Sequence, residues 1–221
     1  MKLVHKNFDR QINFDENLFQ TLIIENPQEF YSLTKQLISQ IDGEYGEWVL
    51  SENGKILQIE NIVSVIYDFF SLALSNKKIE NGINAKVLNV FKEGDYFQEV
   101  QEIASEIHSL GEKISDNIDL PLESSEEITY QTICKLLSFK ILEEEKLVDK
   151  IATWVDVNIK LKNTKIFVFV NLQSVLDADK MATLLKQLKY WQVGVLNIAS
   201  SDYAGSEIFE KIIIDKDLCV I

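Results

Sequence analysis

The sequence predicts an α/β protein with a head domain (residues 1–93 and 147–221) and an inserted helical leg domain (residues 94–146). Residues 166–170 are apolar at every position, residues 177–190 follow with helical spacing, and residues 194–198 are apolar again. A strand that is apolar on both faces is typical of a parallel sheet covered on both sides. The strand patterns lie at the two ends of the chain and enclose a helical centre, which indicates an insertion.

The N-terminal third alternates strand and helix signals. Residues 2–14 predict one or two short strands, and residues 18–25 predict a stronger one. Asn26 is a predicted helix N-cap with Pro27 at the first helical position, and Gly43 ends that helix. Asn53-Gly54 lies between two apolar runs and predicts a tight hairpin.

The rest of the chain is helical in the middle and returns to strands. Residues 62–67 predict a strand. Apolar residues at three- and four-residue steps then predict helices around 79–90, 97–114, 130–141 and 148–155. After the strand, helix and strand at 166–198, residues 212–214 and 219–221 predict two final strands.

The net charge is a poor overall match for a protein that binds phosphates. The chain of 221 residues carries a formal charge of −13, and Arg10 is its only arginine. A nucleic-acid role therefore needs lysines gathered on one surface, with carboxylates elsewhere or offset by metal ions. No apolar stretch approaches the roughly 20 residues of a membrane helix, and the N-terminus lacks the apolar region of a signal peptide, so we expect a cytoplasmic protein.

The usual nucleotide-binding motifs are absent. Neither G-x-x-x-x-G-K-[ST] nor G-x-G-x-x-G occurs, and the loop 171–174 after the main strand contains no glycine. His5 and His108 are the only histidines, and no serine or cysteine has a visible base partner. ATP hydrolysis and triad chemistry are thus disfavoured, although backbone amides at a helix N-terminus could still bind a phosphate.

Two groups of charged residues are candidate sites, each with a plainer explanation. Residues 116–127 hold five carboxylates around Pro121, and such clusters suit calcium, but helix capping by Ser124 and Glu127 is the favoured explanation from the residues alone. The lysines are densest at 77–78, at 160, 162 and 165, and at 180, 186 and 189. An ordinary solubilising surface is favoured for any one of these groups.

Three stretches together resemble a known family. They are residues 22–26 (LIIEN) with Phe30, residues 62–70 (IVSVIYDFF), and residues 166–171 (IFVFVN) with Leu176 and Asp179. Chain length, the helical insertion and the acidic turn fit as well. The chain resembles the Csn-two family of type II-A CRISPR systems, an accessory factor of spacer acquisition.

The resemblance implies a head similar to a P-loop ATPase without its catalytic loop, and a helical leg. It implies a homotetrameric, non-enzymatic ring whose lysine-lined hole binds double-stranded DNA ends without sequence preference. It also implies calcium, and as partners the spacer integrase complex and the RNA-guided effector nuclease. The calcium candidates carried over are Asp119, Glu123, Glu126 and Glu127, although Pro121 and Ser124-Ser125 interrupt the acidic run. The DNA-binding candidates are Lys160, Lys162 and Lys165.

Two other functions stay open. One is an unusual nucleotide-dependent enzyme with a pocket near Asn171 and Ser174, which the strand–helix–strand unit favours. The other is a scaffold that docks proteins through the apolar stripe 97–114, although that stripe is more simply explained as the core of the leg or as a tetramer interface.

Overall fold

The chain divides into two compact units in a computed structural model, which describes residues 1–118, 122 and 127–221, without the side chains of Phe8 and Asp9. The first unit comprises Met1–Leu74 and Glu143–Ile221, and the second comprises Ser75–Leu142. The sequence-based boundaries at residues 94 and 146 differ from this division. The helix Lys77–Glu93 (α3) packs against the helix Tyr130–Leu137 (α5) and so belongs to the second unit.

Four strands near the N-terminus form an antiparallel sheet in the first unit. They are β1 (Lys2–His5), β2 (Phe8–Asn13), β4 (Trp48–Glu52) and β5 (Lys55–Leu57), in the order β2-β1-β4-β5. Asn53 and Gly54 join the last two strands with φ angles of 51° and 76°. Positive φ at both positions is what a two-residue hairpin needs, so the predicted turn is confirmed.

The second sheet is parallel throughout. Its strands are β3 (Phe19–Ile24), β6 (Val63–Ile66), β7 (Ile166–Val170), β8 (Gly194–Ala199) and β9 (Glu210–Ile214), in the order β6-β7-β8-β3-β9. Every residue of β3 and β8 is buried. Such strands need cover on both faces, and the predicted α/β class is confirmed.

Four helices belong to the first unit: α1 (Pro27–Ile41), α2 (Ile59–Ile62), α6 (Leu147–Lys162) and α7 (Ala178–Tyr190). Two short 3-10 helices span Leu172–Ser174 and Ser206–Ile208. The side chain of Asn26 accepts hydrogen bonds from the backbone N–H groups of Gln28 and Glu29, as predicted for an N-cap. The rings of Trp154 and Phe167, 5.7 Å apart, pack α6 against the parallel sheet.

The second unit consists of helices in its described part: α3, α4 (Phe97–Ser115) and α5. Phe91 stacks on Tyr130 with ring centroids 5.4 Å apart and joins α3 to α5. The predicted helix around 130–141 ends earlier than expected because Ser138 adopts a left-handed conformation with φ 48°. Across the residues described, no helix has the length and apolar character needed to cross a membrane.

The predicted strand at 219–221 is wrong as a strand. Asp215 Oδ1 accepts hydrogen bonds from the backbone N–H groups of Asp217 and Cys219, at 2.9 and 2.8 Å, and closes a tight turn. After this turn, residues 219–221 meet β9 at one isolated bridge, between Val220 and Ile214.

The two ends of the parallel sheet are distinguished by where its strands begin and where the neighbouring helices finish. We define its amino end as the side where β3, β7 and β8 begin, since Gly194 pairs with Ile166 and Val195 with both Phe19 and Phe167. The carboxyl end is the opposite side. Helix α7 leaves β7 at the carboxyl end and enters β8 at the amino end, and α6 ends just before β7 begins. Both helices therefore finish at the amino end of the sheet.

Candidate nucleic-acid interface

The three lysines predicted to bind DNA are all in segments at the amino end of the sheet. Lys160 and Lys162 are in the last turn of α6, and Lys165 directly precedes β7. The Lys165 N–H donates to the Ile62 carbonyl, and the Lys165 carbonyl accepts from the Gly194 N–H, both at 2.9 Å. The backbone at Lys165 is thus part of the sheet ladder, and its side chain projects from a fixed point.

Each of these lysines already has an interaction within the chain. Lys160 Nζ lies 2.6 Å from Asp156 Oδ2, one helical turn earlier. Lys165 Nζ lies 3.8 Å from Glu52 Oε2, and Lys162 also takes part in an interaction within the chain. Ion pairs at exposed side chains are weak in water, so a phosphate could compete for these ammonium groups. The charges of Lys160 and Lys165 are nevertheless partly neutralised in the free protein.

Helix α7 brings two more lysines to the same end of the sheet. Lys186 and Lys189 are exposed in its last two turns, whereas Lys180 lies in its first turn and pairs with Asp177 at 2.5 Å. In sequence these three lysines form one group, for which a solubilising surface was favoured. The strand–helix–strand order is a sequence signal that separates Lys186 and Lys189 from Lys180. A helix between two parallel strands ends where the next strand begins, so its last lysines lie at the amino end of the sheet and its first lysine at the carboxyl end.

The predicted calcium ligands fall mostly outside the described residues. Asp119, Glu123 and Glu126 lie there, and the fourth, Glu127, is exposed just before Thr129 caps α5. In the part of the chain that the structure describes, no group of three or more His, Cys, Asp or Glu side chains is arranged to hold a metal ion. The described residues do not supply a calcium cage, so the ion stays a prediction.

The carboxyl end of the sheet, where nucleotides usually bind in such folds, is occupied by a buried polar network. Asn197, fully buried in β8, accepts a hydrogen bond from the Leu172 N–H at 3.2 Å. Its amide nitrogen donates to Gln173 Oε1 at 3.1 Å and to the Tyr203 hydroxyl at 2.9 Å. Tyr203 in turn donates to Thr21 Oγ1 at 3.4 Å. The sequence signal was an asparagine inside an otherwise apolar strand.

The loop after β7 uses its own polar groups internally. The Ser174 N–H donates to the Asn171 carbonyl at 2.9 Å, and the Val175 N–H donates to the Leu172 carbonyl at 3.1 Å. Asn171 Oδ1 accepts from the Ser200 N–H at 3.1 Å. Because these amides and the Leu172 N–H already have acceptors, the loop does not offer them to a phosphate. These N–H groups of the loop therefore give no support to a nucleotide site near Asn171 and Ser174.

Two ionisable groups beside this network have shifted pKa values. Burial raises the pKa of the Tyr203 hydroxyl, which stays protonated and able to donate. Hydrogen bonds from Ser206 Oγ at 2.7 Å and Lys211 Nζ at 3.1 Å lower the pKa of Asp202. These contacts hold the loop that carries Tyr203 in place.

The apolar stripe of α4 stays largely exposed in the single chain. Val100 is buried, but four later stripe residues keep 40–57% of their surface accessible: Ile103, Ile107, Leu110 and Ile114. Exposed apolar stripes of this kind commonly mark an interaction surface. The explanation that the whole stripe forms the core of the leg within one chain is therefore wrong for these four residues.

Comparisons with known proteins identify relatives of this chain. The family model described as CRISPR-associated protein (Cas_Csn2), the Csn-two family above, matches residues 40–218. A structure titled "Crystal structure of Stu0660 of Streptococcus thermophilus" superposes with a TM-score of 0.61 at 14% identity. The match covers 97% of this chain and 75% of that chain, and at this identity it supports the shared fold alone. No curated protein matches the sequence.

Proposed function

The chain belongs to the Csn2 family of CRISPR-associated proteins, and we propose that it binds the ends of double-stranded DNA, without sequence preference, during spacer acquisition. Its role is non-enzymatic and cytoplasmic in this proposal. The protein acts as a closed homotetrameric ring that a duplex enters from its end. Its partners are the spacer integrase complex and the RNA-guided effector nuclease of the same system.

The observation that carries the proposal is the gathering of lysines at the amino end of the parallel sheet. Lys160, Lys162 and Lys165 are exposed there, in a chain whose total charge is −13. Lysine acts as a point charge toward phosphate and does not read bases, so this surface suits binding that is independent of sequence. Neutralising phosphates releases counterions, and we expect binding to weaken steeply with salt.

Nucleotide chemistry is the weaker alternative because the carboxyl end of the sheet is internally satisfied. Asn197 and the loop after β7 use their hydrogen-bonding groups within the chain. A phosphate would have to displace buried hydrogen bonds, and leaving such groups without partners costs about 1–3 kcal/mol each. This arrangement supports a binding protein over an ATPase.

The exposed stripe of α4 supports self-association. In the proposed ring, Ile103, Ile107, Leu110 and Ile114 pack against another copy of the chain. Burying apolar surface stabilises association by roughly 25 cal/mol per Å². A scaffold that docks other proteins would use the same surface. Packing between copies of the chain also closes a ring, and binding that depends on DNA ends needs such a ring.

Calcium enters the proposal from the family resemblance. Asp119, Glu123, Glu126 and Glu127 are the candidate ligands, and a bound cation would reduce repulsion among these carboxylates. The test is light scattering after size-exclusion chromatography, in calcium and in chelator. We expect a tetramer in calcium and smaller species in chelator; an unchanged mass would remove calcium from the proposal.

Threading over DNA ends is tested by comparing linear with closed-circular duplex of the same sequence in a gel shift. We expect tight, salt-sensitive binding to the linear form and weak binding to the circle, because a closed ring cannot load without an end. Relinearising the circle restores binding in the matched control. Equal binding to both forms, or binding to neither, contradicts the proposal.

Calorimetry with ATP and magnesium tests the alternative, a nucleotide-dependent enzyme, which needs measurable binding and turnover of ATP.

A further inference from the structure

Residues 157–201 carry an excess of positive charge in this acidic chain. Residues 157–201 contain six lysines and two aspartates, for a net charge of +4. The remaining residues therefore carry −17, which gives the total of −13. Asp177 and Asp179, the two aspartates, lie at the start of α7, so the remainder of the stretch has no carboxylate. A surface built from this stretch would attract a polyanion.

Four of the six lysines in this stretch already interact within the chain. Lys160 pairs with Asp156, Lys165 with Glu52 and Lys180 with Asp177, and Lys162 takes part in an interaction as well. Lys186 and Lys189 differ. Within the described ranges, no carboxylate lies within 4 Å of either ammonium group. Their full charge is thus available to a ligand.

Their positions favour joint contact with a phosphate backbone. Residues three apart on a helix are neighbours on its surface, so Lys186 and Lys189 form one pair. Both are exposed, in the last two turns of α7. Helix α7 packs against α6, and both finish at the amino end of the sheet, where Lys165 precedes β7. The pair therefore lies at the same end of the sheet as the three lysines already assigned.

We propose that Lys186 and Lys189 are phosphate-contacting residues for double-stranded DNA, with a larger effect per residue than the ion-paired Lys160 and Lys165. This inference rests on the proposed function. Lys165 and Lys160 must give up a carboxylate when they bind phosphate, whereas Lys186 and Lys189 have none to give up among the residues that the structure describes. A competing explanation is structural, since a cation in the last turn, such as Lys189, stabilises a helix through its dipole.

Trp191 provides a local reporter. It directly follows Tyr190 at the end of α7 and is partly exposed, whereas Trp48 and Trp154 are buried. DNA bound at Lys186 and Lys189 would change the surroundings of Trp191 first. Its fluorescence therefore distinguishes contact at this place from binding elsewhere on the molecule.

The test is titration of the full-length protein with linear duplex at several salt concentrations. The double variant Lys186→Gln/Lys189→Gln is compared with Lys2→Gln/Lys216→Gln, which removes the same charge from exposed positions outside the stretch. For the first variant we expect the affinity for duplex to fall by about tenfold. We also expect the plot of log affinity against log salt concentration to become shallower, by about one unit of slope for each phosphate that is no longer neutralised. We expect the control to bind within about twofold of wild type.

Further readouts separate a direct role in binding from a structural one. Both variants should keep the wild-type thermal midpoint and mass, and duplex should change wild-type fluorescence but hardly change that of Trp191→Phe. Wild-type-like binding by Lys186→Gln/Lys189→Gln would overturn the inference while leaving the proposed function intact. Loss of binding together with loss of assembly or stability would also overturn it. If wild type binds no duplex, the proposed function itself fails.

Discussion

The two ends of the parallel sheet have opposite chemistry. At the carboxyl end, Asn197, Tyr203 and Thr21 satisfy one another in a buried network. At the amino end, Lys186 and Lys189 are exposed without a carboxylate nearby among the residues described. Doubly wound folds usually bind ligands at the carboxyl end. This chain has the fold, but the comparison teaches that the lysines of α6 and α7 that we assign to phosphate binding lie on the other side.

The comparison predicts that substitutions at the carboxyl end change stability, while substitutions at the amino end change DNA affinity. The largest effect is expected from Asn197→Ala. This change leaves the buried Leu172 N–H without its acceptor and removes two further hydrogen bonds, so unfolding free energy should fall by about 2–3 kcal/mol. Urea denaturation measures the change, with the exposed Asn61→Ala as control. DNA affinity of the folded variant should match wild type; a selective loss of affinity would break the comparison.

A smaller loss of stability is expected from Tyr203→Phe. The hydroxyl accepts from Asn197 and donates to Thr21, and both partners are buried, so its removal should cost about 1 kcal/mol. The matched control is Tyr190→Phe, because the Tyr190 side chain is 84% exposed. Equal urea midpoints for the two variants would contradict the importance of the network.

At the amino end, the three lysines of α6 and the start of β7 should give a moderate effect on binding. Lys160→Gln/Lys162→Gln/Lys165→Gln is expected to lower affinity for linear duplex by about fivefold, because Lys160 and Lys165 are partly neutralised by carboxylates in the free protein and Lys162 already has an interaction within the chain. Gel shifts measure it, with Lys180→Gln at the other end of α7 as control. A greater loss per residue than at Lys186 and Lys189 would reverse the order that we propose.

The smallest effect is a pH dependence at Asp202. Hydrogen bonds from Ser206 and Lys211 lower its pKa below the ordinary value of 3.8, so ionised Asp202 stabilises the folded state above that pH. This contribution is lost as pH falls below 3.8 through the pKa of the folded state. We expect wild type to be slightly more stable than Asp202→Asn at about pH 6 and the difference to shrink toward about pH 3. Asp217→Asn, at an exposed carboxylate, is the control. A difference that is constant with pH would contradict this role.

Local chemistry made much of the fold predictable from sequence. Asn26 and Pro27 determine the start of α1, and Asn53-Gly54 determines a hairpin, because capping and positive φ depend on residues that are neighbours in the chain. The continuous apolar run of β7 likewise predicts burial on both faces. Where local signals were short, as at 219–221, they were insufficient: the turn at Asp215 leaves only a bridge.

The sequence by itself determined the α/β class, the helical insertion and the absence of a phosphate-binding loop. The tertiary structure alone decided the strand order β6-β7-β8-β3-β9, the pairing of Lys165 with Glu52 and the exposure of the α4 stripe. It also decided that Thr21, Asn197 and Tyr203 meet. The physical reason is that periodicity and turn chemistry act over a few residues, whereas hydrogen bonds, ion pairs and burial depend on segments that are distant in the chain and close only after folding.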